Sequence, residues 1–234
     1  MALSAVILAG GLGSRLGPLT AKTPKVMVEV AGKPFILHQL ELLRRNGIPR
    51  VTLCVGHLGE MVRRLVGNGS DLGIEVDYSF DGPGLLGTGG AIQNALPTLD
   101  DEFFVIYGDS YLDCDYRAIA SAFRLTGKSG LMTVLRNLGQ WDESNVVFDG
   151  RQILVYDKRN RNPNMQFVDY GLGVFKSACF RGFDQSPLDL AEVYNSLLAS
   201  GDLAAYEVMD RFYEIGSVRG LAETELYLLQ KLSL

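Results

Sequence analysis

Apolar residues fall into two kinds of run along this chain. Residues 4–9, 50–56 and 103–107 are short and almost continuously apolar, which predicts strands buried on both faces, as in a parallel sheet. Between them the apolar positions open to a helical period. Phe35, Ile36, Leu37, Leu40 and Leu43 follow Pro34 and stop before Gly47, with proline at the start and glycine just past the end. Residues 58–66, 90–96 and 116–125 predict further helices, and residues 74–80 alternate like a strand. Strand alternating with helix implies right-handed crossovers and a parallel sheet, hence an α/β fold. Beyond residue 126 the pattern changes. Residues 131–136, 146–148, 152–156 and 170–175 predict short strands at hairpin-like spacing, with Asp149-Gly150 as a turn dipeptide. Ser186-Pro187-Leu188-Asp189 predicts a capped helix start, closed by Gly201, and Ser217 starts a last helix carrying Val218, Leu221, Ala222, Leu228, Leu229 and Leu232. The expectation is one domain over residues 1–234, with a nucleotide-binding half (1–126) and a mixed half (127–234) sharing a core.

Composition narrows the class of partner. At 234 residues, with 47% apolar and 21% charged, the chain has ample material for a core. A net charge of −5 argues against general binding to nucleic acid or anionic membranes, though not against a local basic pocket. Cys54, Cys114 and Cys179 are far apart, so neither structural zinc nor a disulfide framework is expected, and a reducing cytoplasmic setting fits best. No apolar run is long enough to span a membrane. Residues 1–11 have no basic flank ahead of them and read as a buried first strand rather than a signal peptide.

The strongest chemical feature is the run Leu8, Ala9, Gly10, Gly11, Leu12, Gly13, Ser14, Arg15. Glycines directly after a buried strand let backbone N–H groups approach an anion, and Arg15 and Lys25 add fixed cationic donors for a polyphosphate. Rival motifs fail. A dinucleotide fingerprint starting at Gly11 meets Leu16 where its third glycine belongs. Gly127-Lys128-Ser129 has a P-loop tail but Ala122 at the leading position, and no serine has the hydrolase-elbow context.

Residues 8–18 (LAGGLGSRLGP), with Lys25-Val26-Met27 and Gly32-Lys33-Pro34, resemble the signature loop of the sugar-1-phosphate nucleotidylyltransferases. The resemblance continues through Leu86-Gly87-Thr88-Gly89-Gly90-Ala91, Tyr107-Gly108-Asp109-Ser110 and Tyr213-Glu214-Ile215-Gly216, nearest to short bacterial members acting on mannose- or heptose-1-phosphate. It implies a Rossmann-like three-layer αβα sandwich with a mostly parallel mixed sheet. Longer relatives append a C-terminal β-helix of hexapeptide repeats, and this sequence has no such repeat. The implied reaction joins a nucleoside triphosphate, with GTP preferred, to a sugar 1-phosphate and releases pyrophosphate, using Mg²⁺. The implied metal ligands are Asp109 and Glu214, the latter standing where relatives usually have aspartate. Arg15 and Lys25 are the implied catalytic cations. Leu8, Ala9, Gly10, Gly11, Gly13, Ser14, Gly87, Thr88 and Gly89 are the implied nucleotide contacts. Lys158, Asp169 and Gly171 are the implied sugar-phosphate contacts, with Arg159 and Arg161 adding to the positive charge around Lys158. Trp141 reads as packing or as a lid over the sugar. A homodimer is left open. Two other readings stand beside this one: a cytidylyltransferase for phosphocholine or an aminoalkylphosphonate, and a nucleotide-binding regulatory module without turnover.

Overall fold

The computed structural model describes every residue except 1, 12, 14, 15, 18, 19, 21, 83 and 234. The described strands are β1 (Ser4–Leu8), β2 (Glu29–Val30), β3 (Lys33–Pro34), β4 (Arg50–Val55), β5 (Glu75–Phe80), β6 (Glu102–Tyr107), β7 (Ser110–Tyr111), β8 (Gly130–Arg136), β9 (Val146–Phe148), β10 (Ile153–Tyr156), β11 (Phe167–Lys176), β12 (Leu203–Val208) and β13 (Tyr213–Glu214). The helices are α1 (Phe35–Arg45), α2 (Gly59–Val66), α3 (Gly87–Ala95), α4 (Tyr116–Thr126), α5 (Leu190–Ala199) and α6 (Val218–Leu232).

The main sheet has the order β5-β4-β1-β6-β11-β8-β12, with the β9–β10 hairpin joined to β11 at Phe167. β4, β5 and β6 continue the parallel ladder from β1, and β12 runs parallel to β8. β11 is antiparallel to both β6 and β8, so it joins the two halves into one mixed sheet. The chain leaves β1 for β4 on one side and later returns to β6 on the other. The crevice between the carboxyl ends of β1 and β6 is therefore the switch point at which open α/β sheets bind ligands.

Helices cover both faces. Ile36 and Leu40 of α1, Val62 of α2 and Ile119 and Phe123 of α4 pack on one side with Ile7, Leu53 and Ile106. Ile92 of α3 and Leu190, Val193 and Tyr194 of α5 pack on the other with Val6, Val105 and Phe175. Burying each such side chain contributes about 1.5–3 kcal/mol. A smaller cluster of Val28, Val30, Phe35, Tyr111, Ile215 and Leu228 seats α6. This is the expected three-layer αβα arrangement.

Three local expectations shift. α3 begins at Gly87, not at residue 90, because glycines at 87, 89 and 90 let its first turn lie against the backbone of Leu188. The N-cap of α5 is Asp189, in a capping box with Glu192, one turn later than Ser186. β12 lies in a segment where no strand was expected, since its short apolar run, Leu203 to Tyr206, is half alanine and carries little strand signal. It is held by its parallel register with β8, Leu203 opposite Gly130 through Val208 opposite Leu135.

Candidate active site

The site is built where β1 and β6 end. The Gly108 amide donates to Leu8 O at 3.0 Å. A Cβ on Gly108 would lie 2.6 Å from that oxygen, so glycine is needed for the two strand ends to meet. Asp109 follows and is thereby held beside the glycine loop. Lys25 arrives from the short 3₁₀ turn Lys25–Met27, anchored by the buried side chain of Val26. Its ammonium donates to Asp109 Oδ2 at 2.5 Å.

Glu214 reaches the same place through a different element. β13 pairs with β7, setting Glu214 opposite Ser110, and the Ile215 amide donates to Asp109 O at 2.9 Å. The Glu214 carboxylate accepts from the amides of Gly216 and Ser217 and from the Ser217 hydroxyl, all at the start of α6. A Cβ on Gly216 would lie 2.6 Å from Glu214 Oε2, 2.9 Å from Lys25 Nζ and 3.4 Å from Asp109 Oδ2. The outer two of these distances limit the carboxylate separation to about 6 Å. The missing Cβ thus leaves a small cradle between two carboxylates and one ammonium. Among the described residues no three His, Cys, Asp or Glu side chains gather into a larger metal cluster.

Two cavities meet at this point. The first, about 410 Å³, is lined by Leu8, Ala9, Gly10, Gly11, Lys25, Gly87, Thr88, Tyr107 and Asp109, among others. The second, about 520 Å³, includes Lys158, Asp169, Gly171, Trp141 and Glu214 in its walls. Tyr107 and Asp109 line both.

In the second cavity the Lys158 ammonium donates to the Tyr107 hydroxyl at 3.1 Å and stands 3.8 Å from Asp169 Oδ2. Burial alone would lower its pKa, but the hydrogen bond to Tyr107 and the negative charge of Asp169 outweigh that and raise it above the ordinary lysine range. Burial pushes the Tyr107 hydroxyl up to about 12. Lys158 therefore presents a fixed positive charge to the cavity. Asp169 is turned inward instead. Its side chain is 4% exposed and accepts from the Tyr156 hydroxyl at 2.9 Å and the Gly171 amide at 3.1 Å. Its carboxylate orients Lys158 and has little left for a sugar hydroxyl. Gly171 sits in an irregular stretch of the β11–β8 ladder at φ +93°, a conformation that favours glycine.

The structure thus gathers Leu8, Ala9, Gly10, Gly11, Lys25, Gly87, Thr88, Asp109, Lys158, Asp169, Gly171 and Glu214 around two adjoining cavities. Gly89 is not part of their walls. Its amide donates to Leu188 O at 2.9 Å, so it serves packing between α3 and the segment before α5. Gly13 accepts from the Thr20 hydroxyl at 2.7 Å and holds the loop's own shape. Ser14 and Arg15 lie outside the described residues. Sequence reasoning missed Asp81, which follows β5 and lines the first cavity. Its Oδ1 is buried without a partner among the described residues, and burial pushes its carboxyl pKa up. Its position at the carboxyl end of a parallel strand was the available signal.

Residues 4–231 match the nucleotidyl transferase family. The chain belongs to that family. An N-acetylmuramate α-1-phosphate uridylyltransferase of Neisseria meningitidis is 30% identical over 95% of this chain and 97% of its own length. A mannose-1-phosphate guanylyltransferase catalytic subunit β of Danio rerio is 29% identical, and this nucleotidyltransferase spans 61% of its length. Among solved structures, HddC from Yersinia pseudotuberculosis, in a complex with GMP-PN, superposes with a TM-score of 0.79 at 22% identity, covering 97% of this chain and 99% of that one. The inositol-1-phosphate CTP transferase from T. maritima gives 0.82 at 22% identity, covering 98% and 95%. These last two likenesses establish the fold. No helix among the described residues of this family member is long and apolar enough to cross a membrane.

Proposed function

We propose that this nucleotidyltransferase joins a nucleoside triphosphate to a sugar 1-phosphate, releasing pyrophosphate and forming a nucleoside-diphosphate sugar. The observation that carries the reading is the meeting of two cavities at Asp109, one walled by a glycine loop and one by a fixed ammonium. Bond formation needs a phosphate oxygen of one ligand in line with the α-phosphorus of the other. Adjoining cavities with a shared wall provide that proximity. Residues 1–126 then hold the triphosphate, and residues 127–234 hold the sugar phosphate.

Both reactants are polyanions, so the protein's main task is to screen and orient charge. The backbone of Gly10 and Gly11 is assigned to the triphosphate, since the Ala9 amide is already spent on Cys54 O at 2.8 Å. Lys158 holds the sugar phosphate, and Asp169 and Tyr107 hold Lys158. Lys25, paired with Asp109, stands at the junction, where it can follow charge onto either phosphate. Arg15 is assigned to the leaving pyrophosphate by its place in the loop. The cradle at Gly216, flanked by two carboxylates, fits a hard divalent cation with oxygen ligands, held by Asp109 and Glu214 once the Lys25 ammonium yields Asp109 Oδ2. Mg²⁺ bound there would neutralise phosphate charge.

Within this class we assign GTP with mannose- or heptose-1-phosphate. The named activity of the Danio rerio relative and the GMP-PN complex of HddC support that choice. The test is pyrophosphate release with GTP, UTP, CTP, dTTP or ATP against mannose-, heptose-, glucose- and N-acetylhexosamine-1-phosphates. Turnover should need Mg²⁺ and vanish in Asp109→Ala. Release with none of the sugar phosphates would overturn the reaction class, and a pairing without GTP would overturn the base assignment.

A further inference from the structure

Trp141 stands in the wall of the second cavity, on the segment between β8 and β9. That segment is drawn together by one fully buried residue. Asn137 donates to Asp142 O at 2.5 Å and to Ser144 Oγ at 2.9 Å, and its Oδ1 accepts from the Trp141 amide at 3.0 Å. Asn137 fixes the backbone but leaves the half-exposed indole to find its own support. Arg211 supplies it. The guanidinium carbon of Arg211 is 3.8 Å from the centre of the Trp141 ring and 4.5 Å from that of Tyr213. Arg211 Nη2 also donates to Glu223 Oε2 of α6 at 2.6 Å, a carboxylate it shares with Arg219. Tyr213 in turn stacks on Tyr227 of α6, with centroids 3.9 Å apart and planes 17° from parallel.

Arg211 is not in the wall of the second cavity, so it does not meet the ligand there. It touches one residue that does, Trp141, and lies against the strand whose next residue is Glu214. Beside Trp141 the walls carry the polar Asp142, Glu143, Asn145 and Arg161, with Phe212 as the apolar neighbour. The indole offers an apolar face to a sugar ring whose phosphate is held at Lys158.

We propose that Arg211 is a positioning residue for the sugar-phosphate site: it holds Trp141 in the wall against which the sugar ring rests, and ties that wall to the strand carrying Glu214. This rests on the reading of the second cavity as the sugar-phosphate site. An arginine is suited to the task because its flat guanidinium lies against aromatic faces while keeping an ion pair, which the lysine ammonium cannot do in the same way.

Trp141 is the chain's single tryptophan, so its emission reports directly on this wall. The experiment titrates the full-length protein with mannose 1-phosphate and, separately, with GTP and Mg²⁺, following tryptophan emission and the KM of each substrate. In Arg211→Leu the emission of the free protein should shift to the red. Mannose 1-phosphate should bind about tenfold more weakly, the scale of one desolvated cation–π contact. GTP affinity should change by less than about twofold. Arg211→Lys, which can keep the pair with Glu223, should fall between. An unchanged KM for mannose 1-phosphate in Arg211→Leu would overturn the proposal. So would equal weakening of both substrates in the two variants, which would mark a general loss of structure. Lys158→Ala is the parallel arm. If it weakens mannose 1-phosphate while Arg211→Leu does not, only the role of Arg211 fails. If neither variant weakens it, the assignment of the cavity fails as well.

Discussion

Glu214 shows how one methylene redistributes a side chain's work. The resemblance leads one to expect aspartate there, which would stop short of α6. The longer glutamate folds into the first turn of that helix. A Cβ on Gly220 would lie 1.7 Å from Glu214 Oε1 and 2.7 Å from its carbonyl oxygen, so Gly220 leaves the space that the carboxylate fills. Gly220→Ala should therefore expel the carboxylate and destabilise the fold by about 1–3 kcal/mol, despite alanine's better helix propensity. Adding Glu214→Asp should recover part of that loss in a urea-unfolding cycle; strict additivity of the two changes would mean that they do not share the space. Function separates from stability in the amide variant. Glu214→Gln keeps the length but loses the charge beside Lys25 and Asp109. It should lower pyrophosphate release and raise the Mg²⁺ requirement, and a Gln variant with unchanged Mg²⁺ dependence would remove Glu214 from the metal site. Lys25 and Asp109 were legible in the sequence because each sits in a motif next to a strand end. Arg211 was not, because its role depends on neighbours far away in the chain, while Asp81 had a strand-end signal but no motif around it.

At the scale of elements, α6 depends on a junction that sequence periodicity does not reveal. Its apolar spacing predicts a helix from Ser217, and Ser217 does cap it, accepting from the Gly220 amide at 2.9 Å. What fastens the far end is Asp113, which accepts from the Tyr227 hydroxyl at 2.7 Å and pairs with Lys231 at 2.9 Å. Burial acts to raise the Asp113 pKa, but Lys231 and Tyr227 more than offset it and hold the carboxyl below the ordinary aspartate value. A depressed folded-state pKa gives stability that is present above the unfolded value, near 3.9, and is lost as the pH falls through the folded one. Part of the acid loss of stability should thus begin below about pH 4. Lys231 is 45% exposed on its side chain, so the pair is worth only about 0.2–1 kcal/mol. Urea midpoints from pH 7 down to pH 2.5 should converge between wild type and Asp113→Asn. A constant gap across that range would show that Asp113 acts without its charge. The same limit explains β12 and the start of α3. Both are decided by pairing partners, Gly130 to Leu135 for one and Leu188 for the other, and neither leaves a periodic trace.

Two cavities adjoin on one sheet, and β11 is the reason they meet. It runs antiparallel between β6 and β8, so its break in register between Asp169 and Gly173 sets Gly171 beside Tyr107 at the end of β6. The α/β alternation and the glycine loop made the first compartment readable from sequence. The second was readable only as separate residues, Lys158, Asp169 and Gly171, because its shape comes from a long strand whose pairing the hairpin-like spacing did not predict. The division of labour has a direct consequence for Lys158. Its ammonium reaches only the second cavity, held by Tyr107 and Asp169, while the triphosphate loop lies across Asp109. Lys158→Ala should therefore weaken sugar-phosphate binding by the worth of one charge-assisted contact, about 1.5–3 kcal/mol or roughly ten- to a hundredfold. Triphosphate affinity should stay within about twofold, because the glycine loop and Lys25 are untouched. Calorimetric titration of each substrate alone into the variant separates the two. A weakened triphosphate with an unchanged sugar phosphate would reverse the assignment, and Lys158 would then have to reach past Tyr107 into the first cavity when the triphosphate is bound.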